Sequence, residues 1–282
     1  MRKSTKIWLI AAASLTLLGA LIFACAMMTV NWDFYKLSTV KYETKSYEFS
    51  PDFSHVQIDT QTANITILPT KEATCRVECY EPIGANHTVE ISENRLLISD
   101  NDTREWYEYI SVDFDTTAIT IYLPEKTYGH ISLVATTADF TIKDIDLNVL
   151  SCTLTTGEII AKNLDCKMDV RLTVSTGKTT VENLTCDGFS SKGTTGDAIF
   201  KNVISKGDFE VIRGTGDVKL SACDAPEISI ETGTGSITGT LLSEKKFDAE
   251  TITGKIDVPS SDSGEKCKLR TTTGDIKISI EK

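Results

Sequence analysis

Histidine is scarce in this 282-residue chain, with single copies at His55, His87 and His130, and there is no C-x-x-C pair, no H-E-x-x-H and no G-x-S-x-G. Scattered imidazoles without paired cysteines argue against a zinc site. The missing motifs argue against a zinc peptidase or a hydrolase nucleophile elbow. The one stretch resembling a phosphate loop, Gly177-Lys178-Thr179-Thr180, has Leu172 where a Walker A loop needs its first glycine. It continues as β-branched alternation over 179–184 and offers no helix N-terminus, so no nucleotide site and no cofactor are expected. Basic charge is also in short supply. The formal net charge is −11, and beyond Arg2, Lys3 and Lys6 the chain carries 26 basic against 40 acidic side chains, which excludes bulk-charge affinity for nucleic acid.

Long apolar runs are absent except for one. The 24 residues 7–30 carry no charge, enough to cross a bilayer with some tilt. Basic residues in front place the N-terminus in the cytoplasm, and Trp32, Phe34 and Tyr35 follow where amphipathic aromatics meet head groups. Residues 1–6 then read as a cytoplasmic tail, 7–30 as a transmembrane anchor and 31–49 as a juxtamembrane linker. Ala24-Cys25-Ala26 resembles a signal-peptidase site, but the apolar run exceeds the about 7–15 residues of a signal core, which favours an uncleaved single-pass anchor.

What the sequence does have is a repeat. Gly157, Gly177, Gly196, Gly216, Gly235, Gly254 and Gly274 fall 20, 19, 20, 19, 19 and 20 residues apart, each after a threonine: Thr156, Thr176, Thr195, Thr215, Thr234, Thr253 and Thr273. Two further units carry alanine, at Thr62-Ala63 and Thr137-Ala138. Apolar residues alternate on both sides of the turn, as in Leu150 and Cys152 before Gly157 and Ile159 and Ala161 after it, so each unit is strand, tight turn, strand. Asn163, Asn183 and Asn202 precede the next apolar residue and suit a corner. Antiparallel hairpins do not require identical residues at equivalent sites, whereas stacked coils place each residue on its own equivalent and reward threonine and apolar ladders. The chain therefore reads as an all-β protein, a β-solenoid of nine coils with one N-terminal transmembrane helix, about 40 Å long at ~4.8 Å per coil.

Residues 131–282 form the repeat solenoid in this reading, and 50–130 an N-terminal β region with the first coil and an insertion of hairpins. That insertion ends in Arg104-Glu105-Trp106-Tyr107-Glu108-Tyr109, and exposed Trp106, Tyr107 and Tyr109 are candidate binding residues, since such aromatics are favoured at recognition surfaces. The alternative is that they cover the first coil. Cys166 and Cys186, each nine residues after a repeat glycine, would stack at about 5 Å, within disulfide range. Seven cysteines outside the anchor cannot all pair within one chain. The acids after the turn, Asp139, Glu158, Asp197, Asp217 and Asp275, read as solvated turn acids; lysines and the repeat length interrupt any calcium stripe.

The anchor, the HVQIDTQTANITILP opening, the REWYEYI and ITIYLPEK segments and the TTGD-like units together resemble the bacterial membrane-anchored β-strand-repeat proteins labelled "putative adhesins", a domain of unknown function. The resemblance covers nearly the whole chain. It implies a right-handed solenoid on the outer face of a bacterial cell membrane, with no established activity. The functional expectation is a non-catalytic, adhesin-like or scaffold module contacting a cell-wall or membrane-protein partner. Alternatives are the outer part of an envelope-stress or signalling assembly and, from another class, a polysaccharide-acting enzyme on a β-helix.

Overall fold

The computed structural model describes every residue except 1, 2, 51, 103–112, 114, 261, 262 and 282. The chain divides into two units, residues 1–42 with 104–116 and residues 43–103 with 117–282, each described by itself. The first contains α1 (Lys3–Thr29), whose segment 4–29 is long and apolar enough to cross a membrane, a test that a signal sequence also passes.

The second unit is built from strands. The first seven are β1 (Tyr42–Phe49), β2 (His55–Thr62), β3 (Asn64–Thr70), β4 (Cys75–Pro82), β5 (Ala85–Ser92), β6 (Arg95–Asp102) and β7 (Ala118–Pro124). There follow β8 (Tyr128–Thr137), β9 (Phe140–Lys143), β10 (Asp146–Thr156), β11 (Ile159–Cys166), β12 (Asp169–Thr176), β13 (Thr179–Cys186), β14 (Gly188–Thr195) and β15 (Ala198–Ser205). The last are β16 (Asp208–Thr215), β17 (Val218–Cys223), β18 (Glu227–Thr234), β19 (Ile237–Leu241), β20 (Lys245–Thr253), β21 (Ile256–Asp257), β22 (Glu265–Thr273) and β23 (Ile276–Ile280).

Each coil contributes one strand to each of two parallel faces, because strands pair with their equivalents one coil away: β10 with β12, β11 with β13, β12 with β14. The register is the repeat itself. Thr62 pairs with Thr137, Thr137 with Thr156, Thr156 with Thr176, Thr176 with Thr195, Thr195 with Thr215 and Thr215 with Thr234, one continuous ladder. The glycines that follow hold positive φ; at Gly177, with φ +146°, a Cβ would overlap the Gly157 carbonyl oxygen of the preceding coil. Such a site admits only glycine. Ala63 and Ala138 are buried and hold no positive φ, so these two units turn differently. The corner after the second strand is made by Asp144, Asn163, Asn183 and Asn202, all left-handed at φ 50–57°. Their side chains form a ladder, Asn163 donating to Asp144 Oδ1, Asn183 to Asn163 Oδ1 and Asn202 to Asn183 Oδ1, at 2.7–3.0 Å. Asparagine is favoured here because its short amide tolerates this conformation and hydrogen-bonds locally.

The alternating apolar residues fill the interior. Leu150, Cys152, Val170, Leu172, Phe209, Val211, Ile159 and Ala161 are all buried, and Phe189, Phe200 and Phe209 meet with ring centroids 4.8–5.7 Å apart. At roughly 1.5–3 kcal/mol per buried large apolar side chain, this stack is the main source of stability.

Three features depart from a simple sequential stack. The segment read as inserted hairpins supplies a tenth rung, since β6 and β7 pair parallel with β2 and β3 on the side away from β8 and β9. Antiparallel strands then cover that end, β5 on β6, joined through Glu93 and Asn94 at positive φ, and β4 on β7, with β1 paired to β4. Residues 42–49, expected in the juxtamembrane linker, thus enter the sheet as β1. At the other end the order is inverted. Strand β18 pairs with β22, and β22 with β20; likewise β19 pairs with β23, and β23 with β21. The last coil in sequence is therefore the penultimate rung in space.

Candidate functional site

Trp106, Tyr107 and Tyr109 lie outside the described residues, so the candidate site is sought on the coils themselves. The repeat turns have a structural job. Thr156-Gly157, Thr176-Gly177 and their equivalents carry the ladder and close the coil. Four of the five acids after the turns are similarly committed. Asp139 Oδ1 accepts from the Glu158 backbone N–H at 2.8 Å, Asp197 Oδ1 from that of Asp217 at 2.9 Å, Asp217 Oδ1 from that of Ser236 at 2.9 Å and Asp275 Oδ1 from that of Lys255 at 2.8 Å. Each carboxylate satisfies a turn amide of the next rung.

Cys166 and Cys186 sit on neighbouring rungs, next to the paired Asp165 and Thr185, but both are free thiols in this structure. Cys166 Sγ donates to the Asn148 carbonyl at 3.0 Å, and burial pushes the Cys186 thiol up to about 12. Neither is poised as a nucleophile.

The outer surface of the first face carries a groove of about 590 Å³ across β12, β14, β16 and β18. Its floor follows from β14, which reads Gly188-Phe189-Ser190-Ser191-Lys192, so the outward positions are a glycine and a serine where neighbouring rungs carry longer side chains. Phe189 and Phe209 turn inward beneath it and are buried. The walls are charged pairs: Arg171 Nη2 lies 2.8 Å from Asp169 Oδ2 on one side, and Lys192 Nζ lies 2.9 Å from Glu210 Oε2 on the other. Ser190 Oγ donates to the same Glu210 oxygen at 3.1 Å. The Lys192 hydrogen bond holds the Glu210 carboxyl below its usual range against a smaller opposing effect of burial. The groove therefore presents two cations, hydroxyls and ionised carboxylates on a sheet that does not need to rearrange. Sequence reasoning missed it; its only local signal is Gly188 at an outward strand position outside the T-G series.

A second polar cluster lies under the antiparallel cap. His87 Nδ1 is 2.9 Å from Glu81 Oε2 and its Nε2 is 2.8 Å from Asp100 Oδ1, while Lys45 Nζ approaches Glu81 Oε1 at 3.3 Å. Thr60 Oγ1 donates to Asp100 at 2.9 Å. Burial alone would lower the His87 pKa, but hydrogen bonds to Asp100 and Glu81 outweigh it and raise it. Five different strands supply this network, so it clamps β1, β2, β4, β5 and β6 together.

With this geometry in place, comparison with known families is decisive: the profile of the Toastrack DUF4097 family matches residues 53–282. The chain belongs to the Toastrack DUF4097 family. Among solved structures, a "putative adhesin" from Bacteroides fragilis NCTC 9343 is similar with a TM-score of 0.51 and 17% identity, over 85% of this chain and 97% of that one. That likeness shows a shared fold. A "putative adhesin" from Parabacteroides merdae ATCC 43184 (TM-score 0.42, 11% identity, 85% and 96% covered) and a "Putative lipid binding protein" from Parabacteroides distasonis ATCC 8503 (TM-score 0.32, 15% identity, 87% and 98% covered) also match. None of the curated proteins compared matches the chain. The matched residues span the groove and, except for β1, the capped end.

Proposed function

We propose that this Toastrack chain is a membrane-anchored, extracytoplasmic binding module that holds a cell-wall polymer against the β12–β18 groove. The observation that carries this reading is the pairing of Arg171 with Asp169 and Lys192 with Glu210 on either side of a floor of Gly188 and Ser190. Such walls can exchange their internal hydrogen bonds for those of a hydroxylated, charged ligand at little reorganisation cost. The apolar α1 supports tethering to a membrane with the strands outside. A non-catalytic role is supported by Glu210: a sugar-cleaving general acid needs a carboxyl pKa raised toward neutrality, and this one is lowered.

The test is titration of the full chain in lipid nanodiscs with solubilised cell-wall glycan fragments, comparing wild type with Arg171→Glu/Lys192→Glu. Both side chains are exposed, so the fold should survive. The expected result is binding that weakens about tenfold or more, a loss of ~1.4 kcal/mol or more, in the variant. Equal binding by both proteins, or product release from the glycan, overturns the proposal.

A further inference from the structure

The two ends of the Toastrack stack are not equivalent. One is covered by β5, β4 and β1. The other ends in β20 and β21, and among the described residues neither pairs with any strand besides β22 and β23. The consequence shows in side chains that occupy core positions of the ladder. Phe247 follows Phe209, Ile228 and Cys267 in register, and those three are 1% exposed, whereas Phe247 is only half-buried. Ile256 follows Ile237 and Ile276, both 0% exposed, yet is 46% exposed itself. Ile252, on the outer side of β20, is 78% exposed. A regular, partly apolar edge of this kind invites strand pairing, and repeat stacks otherwise require a polar cap.

Charge identifies the occupant. The chain as a whole carries −11, but residues 245–282 hold eight basic and seven acidic side chains, so this end alone is free of the net repulsion that would keep two copies apart. Strand β20 is also complementary to itself. In an antiparallel pair that sets Phe247 against Phe247 of a second copy, Lys246 of each copy faces Asp248 of the other, on the same side of the sheet. Asp248 is already held ionised by Arg270, whose Nη2 lies 2.6 Å from Oδ2, and a second cation adds to that pair on its exposed side. A two-fold axis normal to this face sets β20 against β20 and closes the assembly at two copies, since the remaining ends are both capped.

We infer that the chain forms a two-fold homodimer through the uncovered edge of β20, an interaction surface separate from the groove. Sedimentation equilibrium of the full chain in detergent micelles over a wide concentration range tests it. The wild type should run as a dimer. Lys246→Glu should weaken association about tenfold or more, as should Asp248→Lys; Lys246→Glu/Asp248→Lys should restore it by exchanging the charges. Lys246 and Asp248 are exposed, and thermal melting of each variant checks that the fold is kept. A wild type that stays monomeric, or a dimer indifferent to both Lys246→Glu and Asp248→Lys, overturns the inference. A double variant that melts like wild type but remains monomeric overturns the register.

Discussion

Thr273 stands directly beside Thr234 in the threonine ladder, although Thr253 lies between them in sequence. The coil of β20 and β21 is thus displaced outward by one rung, and β22 and β23 fill the gap. Lys245 locks the arrangement. From the outermost rung its buried Nζ reaches Asp224 Oδ1 at 2.7 Å and Glu265 Oε2 at 2.8 Å, and donates to the Ala225 carbonyl at 2.7 Å.

Replacing Lys245 by Met should therefore loosen this end and little else. Both carboxylates keep some access to water, so the cost is about 2 kcal/mol, below that of breaking a fully buried pair. Native-state hydrogen exchange is expected to show faster exchange across 245–280 and unchanged protection in β10–β16. Uniform acceleration along the stack would contradict the clasp.

The ladders make a graded prediction at the turns and corners. Gly177→Ala adds a Cβ against the Gly157 carbonyl at positive φ and should cost about 2–4 kcal/mol. Asn183→Gly keeps the left-handed corner and loses only ladder hydrogen bonds, about 1 kcal/mol. Asn183→Leu should cost more than Asn183→Gly. Urea denaturation of the three variants ranks them.

Arg213 is a cation inside the stack. It is 2% exposed, and its guanidinium donates to Ser191 Oγ at 2.8 Å, to the Ser191 carbonyl at 3.1 Å and to the Ile212 carbonyl at 2.9 Å, while Nε has no partner. Burial pushes its pKa down to about 10. It fits because Gly193 on the neighbouring strand has no side chain, and a Cβ there would crowd the guanidinium. Removing a desolvated charge without opening a hole should help, so Arg213→Met is expected to be neutral or to stabilise by about 1–3 kcal/mol. Arg213→Ala should destabilise by about 2 kcal/mol or more through the cavity. Thermal denaturation distinguishes the two directions.

The cap should be pH-sensitive. The raised His87 pKa means that its contribution is complete below the unfolded value of about 6.5 and is lost as pH rises through the higher folded value. Asp100 behaves oppositely. Hydrogen bonds to His87, Gln61 and Thr60 outweigh burial and lower its pKa, so its contribution is present above about 4 and lost on acidification below that. Between these limits the cap is most stable. Protection of β5 and β6 in hydrogen exchange should fall from pH 6 to pH 9, and His87→Gln should abolish that slope.

The solenoid was legible because stacked coils repeat the same residue at the same place: threonine before the turn, glycine within it, asparagine at the corner. The inverted end was not, since a 19- or 20-residue spacing is identical whether a coil stacks on its predecessor or leaves a gap. The rung of β6 and β7 was hidden because no Thr-Gly pair occurs in the sequence between residues 102 and 118. Residues of the groove are single members of different rungs, and the His87 network draws on five strands, so neither has a local motif. The turn acids read as solvated, whereas several accept turn amides of the next rung.

The most direct test of the account is hydrogen exchange of the full chain in nanodiscs with and without solubilised cell-wall glycan. The account predicts added protection along 169–173, 188–192 and 208–210, the strands that wall and floor the groove. Protection confined to residues 103–112, or none with any glycan preparation, would contradict it.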